Sequence, residues 1–455
     1  MTLADVRTVY FIGIGGIGMS ALARYFRHLG AEVHGYDRTE TDLTRALAAE
    51  GMRIHYEEDV CQIPERVDLV VWTPAVPTDH AELVWLRQRG YPVMKRAEVL
   101  GLISRGKRCI AIAGTHGKTT TSSLVAWLLH SAGHDITAFL GGIAVNFHSN
   151  FLLGNSDWVV VEADEYDRSF LHLEPEIAVI NSLDPDHLDI YGSPEAVVEA
   201  YLQFARQIKR GGTLFYKYGL PLDGVAEELR QSGRRAFTFG IGVGNCQASD
   251  LHVQDGYMVF NIHARDQFEL YRLQMPLPGR HNVENALAAW MAAATADIWM
   301  IRHMSALEKF QGVRRRFEYI VRRPDLVYVD DYAHHPAEIR ATVQAARMFF
   351  PDKKITGVFQ PHLYSRTRDF ADAFAEALDE LDTCYLLPIY PAREQPIPGV
   401  SSELIFDKMN LADRRLTDKE GLLRCLADRR PEVLLTMGAG DIDALVKPIA
   451  QQLNP

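Results

Sequence analysis

The stretch "RCIAIAGTHGKTTTSSLVAWLL", which begins at Arg108, constrains the fold more than any other part of the chain. An unbroken apolar run meets a glycine-rich turn and passes at once into a helical pattern. Such a run is buried on both faces, so it belongs to a parallel sheet covered by helices. The turn also carries chemistry. Gly114, Thr115, His116 and Gly117 offer successive backbone amides to phosphate, Lys118 offers an ammonium for the terminal phosphates of ATP, and Thr119 offers a hydroxyl for Mg2+, with Thr120 following. The common spacing GxxxxGK[ST] would place Gly at position 112. Ile112 stands there, which makes this a shortened variant.

A second glycine turn lies near the N-terminus, in "YFIGIGGIGMS". Gly13, Gly15 and Gly18 follow GxGxxG between a strand-like run and a helical one, with Gly16 and Ile17 inside the turn. Asp37 closes the next strand, where an acid can bind a ribose. The pattern suits a nicotinamide or flavin cofactor, a nucleotide carried by the substrate, or a tight turn with no ligand.

Strand, turn and helix alternate along all 455 residues, a length beyond what one hydrophobic core usually holds. Three α/β domains are predicted, over 1–105, 106–312 and 313–455, with no internal repeat. A formal net charge of −11 disfavours a broad nucleic-acid surface. No apolar run reaches membrane-spanning length, and "MTLADVRTVY" lacks the features of a secretory signal, so a cytoplasmic location is expected. Cys61, Cys109, Cys246, Cys384 and Cys425 are too scattered for a metal site or a disulfide framework.

Two acidic clusters fall where strands should end. "VVVEADEYD" brings Glu162, Asp164 and Glu165, and "NSLDPDHLD" brings Asp186, His187 and Asp189. The ends of neighbouring parallel strands line one crevice, and carboxylate with imidazole suits Mg2+ beside phosphates. The last third adds Arg315 and Arg316, then Arg366 and Arg368 in "YSRTRD"; guanidinium groups can meet phosphate oxygens bidentately. In "DDYAHHP", Asp331, His334 and His335 precede Pro336, a good first residue for a helix.

In their order, "FIGIGGIGMSALA", "AIAGTHGKTTT", "VEADEYDRSFLHL", "DPDHLDIY", "GRHNVENALAA", "GVRRRFEYI", "VDDYAHHPAEI", "FQPHLYSRTRDF" and "MGAGDI" resemble the Mur ligases of peptidoglycan synthesis over nearly the whole chain. The resemblance implies an N-terminal Rossmann-like UDP-binding domain, a central P-loop ATPase-like domain and a C-terminal Rossmann-like domain for the amino acid. It also implies a reaction in which ATP phosphorylates the lactyl carboxylate of UDP-N-acetylmuramate and L-alanine attacks the acyl phosphate. Within it, Lys118 would hold phosphates, Thr119 and Glu162 one Mg2+, His187 a second, and Asn285 the adenine. Gly13, Gly15, Gly16, Ile17 and Gly18 would take the UDP pyrophosphate, with Asp37 and Thr73 near the uridine. Arg315 or Arg316 would approach the phosphates, Arg366 and Arg368 the amino acid, and Asp331, His334 and His335 would lie beside ATP and the incoming amine. The expected partners are these small molecules, with neither nucleic acid nor membrane, in a monomer or weak homodimer. A related ligase that attaches a preformed tripeptide, a silent nucleotide sensor and an oxidoreductase are the other readings. Intact Lys118, Glu162, His187 and Asp331 weigh against the sensor, and the Lys118 turn, which an oxidoreductase would leave unexplained, against the oxidoreductase.

Overall fold

The computed structural model describes residues 3–184, 188–264, 271–296, 305–392 and 394–454. They form three sheets, each with helices in its connections. The first is five-stranded and parallel: β1 (Thr8–Ile12), β2 (Glu32–Tyr36), β3 (Arg53–His55), β4 (Leu69–Trp72) and β5 (Val93–Lys95), in the order β3-β2-β1-β4-β5. Val9 to Ile12 of β1 are wholly buried, as a central parallel strand requires. Helix α1 (Ile17–His28) follows β1, α2 (Asp42–Ala49) follows β2, and α3 (Ala81–Gln88) follows β4. Helix α4 (Arg96–Arg105) closes this part of the chain.

The second sheet has ten strands: β6 (Arg108–Ala113), β7 (Thr137–Ala144), β8 (Ser149–Leu152), β9 (Trp158–Glu162), β10 (Ile177–Ile180), β11 (Thr213–Lys217), β12 (Arg235–Ile241), β13 (Cys246–Gln254), β14 (Tyr257–Ala264) and β15 (Tyr271–Met275). Their order is β15-β14-β13-β12-β11-β10-β6-β9-β7-β8. Its register positions the site. Ile112 of β6 lies opposite Glu162 of β9, and Ala113 lies opposite Ile180 of β10. Three strand ends therefore stop together beside the start of α5 (Lys118–Ser131).

The chain forms two compact units, one of Met1–Asp250, Phe260–Leu273 and Glu284–Phe310, the other of Leu251–Val259, Gln274–Val283 and Gln311–Pro455. Within the first, one apolar cluster runs from Phe11 and Phe26 through Phe139 and Phe151 to Phe204. The Tyr25 ring of α1 lies edge-on to Phe26 and 5.6 Å from Phe139 of β7, so the first two sheets share a core.

The second unit carries β16 (Glu318–Arg322), β17 (Val327–Asp331), β18 (Ile355–Phe359), β19 (Thr383–Leu386), β20 (Arg414–Leu416) and β21 (Val433–Met437), ordered β16-β17-β21-β18-β19-β20. Only β16 pairs antiparallel. Val329 and Leu435 face one apolar core, Tyr328 and Leu434 the other, so the sheet is covered on both faces.

The chain is thus a three-sheet α/β protein. Cys109, Cys246 and Cys384 are buried in strands, and burial pushes each thiol up to about 12, while Cys61 is exposed. Among the described residues, no helix is long and apolar enough to cross a membrane.

Candidate functional site

Gly117 precedes α5 at φ +78°, a left-handed conformation that favours glycine, and no side chain caps the helix. A Cβ at Gly117 would meet Asn285 Oδ1 at 2.3 Å. Asn285 is held there by Thr121, whose Oγ1 donates to Asn285 Oδ1 at 3.3 Å and accepts from Asn181 Nδ2 at 2.9 Å. The chain after β10 is sewn to the same turn. His116 N donates to Ser182 Oγ at 2.8 Å, and Asp184 N donates to Thr115 Oγ1 at 3.1 Å. Gly114, at φ +130°, leaves room for the Ser182 amide, which a Cβ would approach to 2.9 Å. Thr119 and Thr120 occupy the first turn of α5, the former half-buried and the latter buried.

The Lys118 ammonium is nearly buried and points at acids. Nζ donates to Glu165 Oε2 at 2.7 Å, to Glu165 Oε1 at 2.9 Å and to the Gly114 carbonyl at 2.8 Å. Burial alone would depress its pKa, but the carboxylates of Glu165, Asp164 and Glu162 outweigh that and raise it above the ordinary lysine value. Lys118 therefore stays charged, and phosphates reaching it must compete with Glu165. Glu162, the last residue of β9, turns its carboxylate to β7, where Gly141 N donates to Oε2 at 3.1 Å. A Cβ at Gly141 would lie 2.2 Å from that oxygen, so glycine in the middle of β7 makes the seat for the acid.

The Thr119 hydroxyl and the Glu162 carboxylate are both oxygen donors of the kind Mg2+ takes. Among the described residues no three His, Cys, Asp or Glu side chains could by themselves hold a metal ion. Asp186 and His187 lie outside the described residues.

The first glycine turn gathers its expected residues as well. Gly13 N donates to the Tyr36 carbonyl at 2.8 Å, and a Cβ at Gly13 would meet Thr73 Cγ2 at 2.9 Å. Gly15 N donates to Asp37 Oδ2 at 2.7 Å, so the Asp37 carboxylate already takes one amide of the turn. Gly16 precedes α1 without a side-chain cap, and the first-turn amides, Ile17 and Gly18 among them, have no partner within the helix. Asn150 of β8 anchors this turn: its Nδ2 donates to the Ile17 carbonyl at 2.5 Å and to Ser20 Oγ at 3.0 Å, while its Oδ1 accepts from Arg24 at 2.6 Å.

In the second unit the expected residues separate into two kinds. Arg315, at φ +58°, is engaged locally: Nε donates to Asp330 Oδ2 at 3.1 Å and Nη2 to the Gly438 carbonyl at 2.6 Å. Arg316 is more exposed, lying over the Tyr332 ring with Nη1 3.9 Å from Glu338. Asp331 is a buried acceptor for Phe317 N at 3.0 Å, Ala333 N at 2.9 Å and Thr342 Oγ1 at 3.1 Å; burial pushes its pKa up to about 6. His335 starts the helix Pro336–Phe349, its Nδ1 accepting from Ala337 N at 3.4 Å. His334 instead faces His362, with ring centroids 6.2 Å apart. Burial, then His334 and Arg366, push His362 down to about 4, and burial lowers His334 too. His334, His362 and Arg366 thus share one environment, whereas Arg368 Nε donates to its neighbour Asp369 at 2.7 Å.

Sequence reasoning assigned no individual site role to Glu165, Asn181, Gly141 or His362. A glycine pair, Gly141 and Gly142, within a strand pattern was the available signal for Gly141. His362 follows an apolar strand as Lys118 does, although nothing in its spacing marks it.

Three family models match in succession: "Mur ligase family, catalytic domain" over residues 8–108, "Mur ligase middle domain" over 112–293, and "Mur ligase, glutamate ligase domain" over 315–440. The chain belongs to the Mur ligase family, and it is therefore an enzyme of the ligase class. It is 45% identical to the UDP-N-acetylmuramate–L-alanine ligase of Cytophaga hutchinsonii, across 99% of this chain and 97% of that protein. Among solved structures it is similar to the UDP-N-acetylmuramate–alanine ligase of Thermotoga maritima, with TM-score 0.83 and 30% identity over 98% of this chain and 99% of the other. A murein peptide ligase from Psychrobacter arcticus matches with TM-score 0.71 and 24% identity over 98% of both chains, a likeness of fold.

Proposed function

We propose that this chain uses ATP to join L-alanine to the lactyl carboxylate of UDP-N-acetylmuramate. A carboxylate is a poor electrophile, so the reaction begins by giving it a leaving group. A carboxylate oxygen attacks the γ-phosphorus and ADP departs; the alanine nitrogen then attacks the acyl carbon, and phosphate leaves with the bonding electrons. The protein's work is positioning and charge stabilisation.

The observation that carries the chemistry is the Lys118 ammonium, charged and held at the shared end of β6, β9 and β10. The substrate pair follows the printed names of relatives that match nearly end to end. Lys118 is assigned the β- and γ-phosphates, and Asn285, seated against Gly117, the adenine. Mg2+ at Thr119 and Glu162 would supply charge neutralisation at the phosphates, with His187 assigned to a second ion. Gly13, Gly15, Gly16, Ile17 and Gly18 are assigned the UDP pyrophosphate, and Asp37 and Thr73 the uridine side. In the second unit, Arg366 and His334 are assigned the amino acid and Arg316 a phosphate, while Asp331 and His335 hold the local structure that presents them. Residues 1–105, 106–312 and 313–455 thereby divide the sugar nucleotide, ATP and amino acid among them.

Phosphate release from ATP with UDP-N-acetylmuramate, Mg2+ and, in turn, L-alanine, glycine, L-serine or the stem tripeptide tests this reading, with product masses. Alanine-dependent release with the matching mass supports it. Release with the tripeptide alone would move the enzyme to peptide recycling, and binding of both nucleotides without release would make it a sensor. A pocket distinguishing amines by one methyl is worth about 1–3 kcal/mol, so some turnover of glycine or serine is compatible.

A further inference from the structure

Arg96, the first residue of α4, carries a guanidinium that none of the assignments above uses. Its Nη2 donates to Asp164 Oδ2 at 3.0 Å, two residues past Glu162. Its other side lies across the start of α1: a Cβ built on Gly18 would stand 2.7 Å from Nη1, 3.1 Å from Cδ and 3.3 Å from Cζ. Gly18 is thus a glycine for a reason separate from the turn, because a methyl there would displace the guanidinium. Lys95 strengthens the link, its Nζ 2.6 Å from Asp167 Oδ2 in the same acidic segment. Nε and Nη1 of Arg96 meet no acceptor among the described residues.

We propose that Arg96 is a positioning residue shared by the two phosphate sites, and that it couples the binding of a nucleotide-sugar diphosphate at the first glycine turn to the binding of ATP at the second. The inference rests on the assignment of the first turn to that diphosphate. A guanidinium presents five donors in a rigid fork. With Nη2 on Asp164, the remaining donors face Gly18, where a phosphate beside the helix start would be reached. Two anions on one fork fix Asp164 and with it the strand end at Glu162, two residues before it, the acid assigned to the cation that accompanies ATP. Occupancy of either site then favours the other, by the same factor in both directions.

Calorimetric titration tests this with UDP-N-acetylmuramate and a non-hydrolysable ATP analogue, each alone and in the presence of the other. Wild-type protein is expected to show mutual tightening of about fivefold or more, the usual scale of such coupling. R96A should bring that factor to about one and raise the KM for UDP-N-acetylmuramate about tenfold with a smaller change in kcat, the size of one charge-assisted contact. R96K should recover part of the loss, since lysine keeps the charge but not the fork. G18A retains the amide and should lose coupling by displacing Arg96, so the G18A/R96A double variant should be no worse than R96A alone. Melting curves identify any variant that has failed to fold, and R96K carries the test if R96A does. Unchanged coupling in R96A or R96K, or additive effects of G18A and R96A, would overturn the proposal alone. Wild-type protein that binds no UDP-N-acetylmuramate would overturn it together with the functional reading.

Discussion

Two helices of the first unit and one of the second begin where buried strands end, yet they begin differently. Helix α1 follows Gly16 and α5 follows Gly117, and neither has a side-chain cap. The helix Pro336–Phe349 has a capping box made by His335 and Glu338, and its first residue, Pro336, has no amide hydrogen to offer. Open starts keep their donors for an anion delivered by a ligand. A closed start has spent them on the fold, so recognition there depends on side chains such as His334, His362 and Arg366.

The sharpest test of the open start at α5 is K118A, expected to lower alanine-dependent phosphate release about 10^3-fold, on the scale of removing a preorganised charge from a transition state. A loss under tenfold would mean that the amides of the turn hold the phosphates without the ammonium.

The closed region has a pH signature through Asp331. Its folded-state pKa is raised from 3.8 to about 6, so between those values the folded chain binds the proton more tightly than the unfolded chain does. Stability then falls as pH rises through that window and levels off above it. Relative to D331N, wild type should lose roughly 2–3 kcal/mol between pH 4 and pH 6, at about 1.4 kcal/mol per pKa unit. Urea unfolding of both proteins at the two pH values measures this; parallel curves would remove Asp331 as a buried structural acid.

The open start at α1 predicts a smaller effect. D37A removes the acceptor for Gly15 N and should raise the KM for UDP-N-acetylmuramate about tenfold, the size of one hydrogen bond to a charged group. Steady-state kinetics at saturating UDP-N-acetylmuramate should find the KM for ATP within twofold of wild type. A shift in the ATP value instead would mean that the two turns are not divided between the two nucleotides.

Smallest is H335A, expected to cost about 1 kcal/mol of stability, the usual cost of a lost helix cap. Thermal unfolding together with kcat separates the alternatives. A hundredfold fall in kcat at unchanged stability would make His335 a chemical residue and erase the contrast between closed and open starts.

Much of this contrast is legible in the sequence alone. "RCIAIAGTHGKTT" reads as strand, turn and helix because apolar run, glycines and helical spacing all agree locally. The strand end at Glu162 was readable for the same reason. What lay beyond reach depends on pairing across the sheet. Glu165 holds Lys118 because β6 and β9 are neighbours, and no spacing along the chain states that. Gly141 matters only once β7 is known to lie beside Glu162. For Asp331 the residue type suggested chemistry, whereas three donors converging on a buried carboxylate make it an anchor. Asn285 came from family resemblance, and its seat against Gly117 is a packing fact that periodicity cannot express.

The buried thiols turn the protein into its own stopwatch. Cys109 lies in β6, Cys246 in β13 and Cys384 in β19, all shut away and held as unreactive thiols, while Cys61 is open to solvent. A thiol-directed reagent should therefore mark Cys61 at once. Modification of Cys109, Cys246 or Cys384 would in each case time the opening of one identifiable strand, since a protected group reacts only through local or global unfolding. Peptide mapping of the order in which Cys109 and Cys384 become marked would then rank the endurance of the sheet carrying Lys118 against that of the six-stranded sheet, without a single substitution.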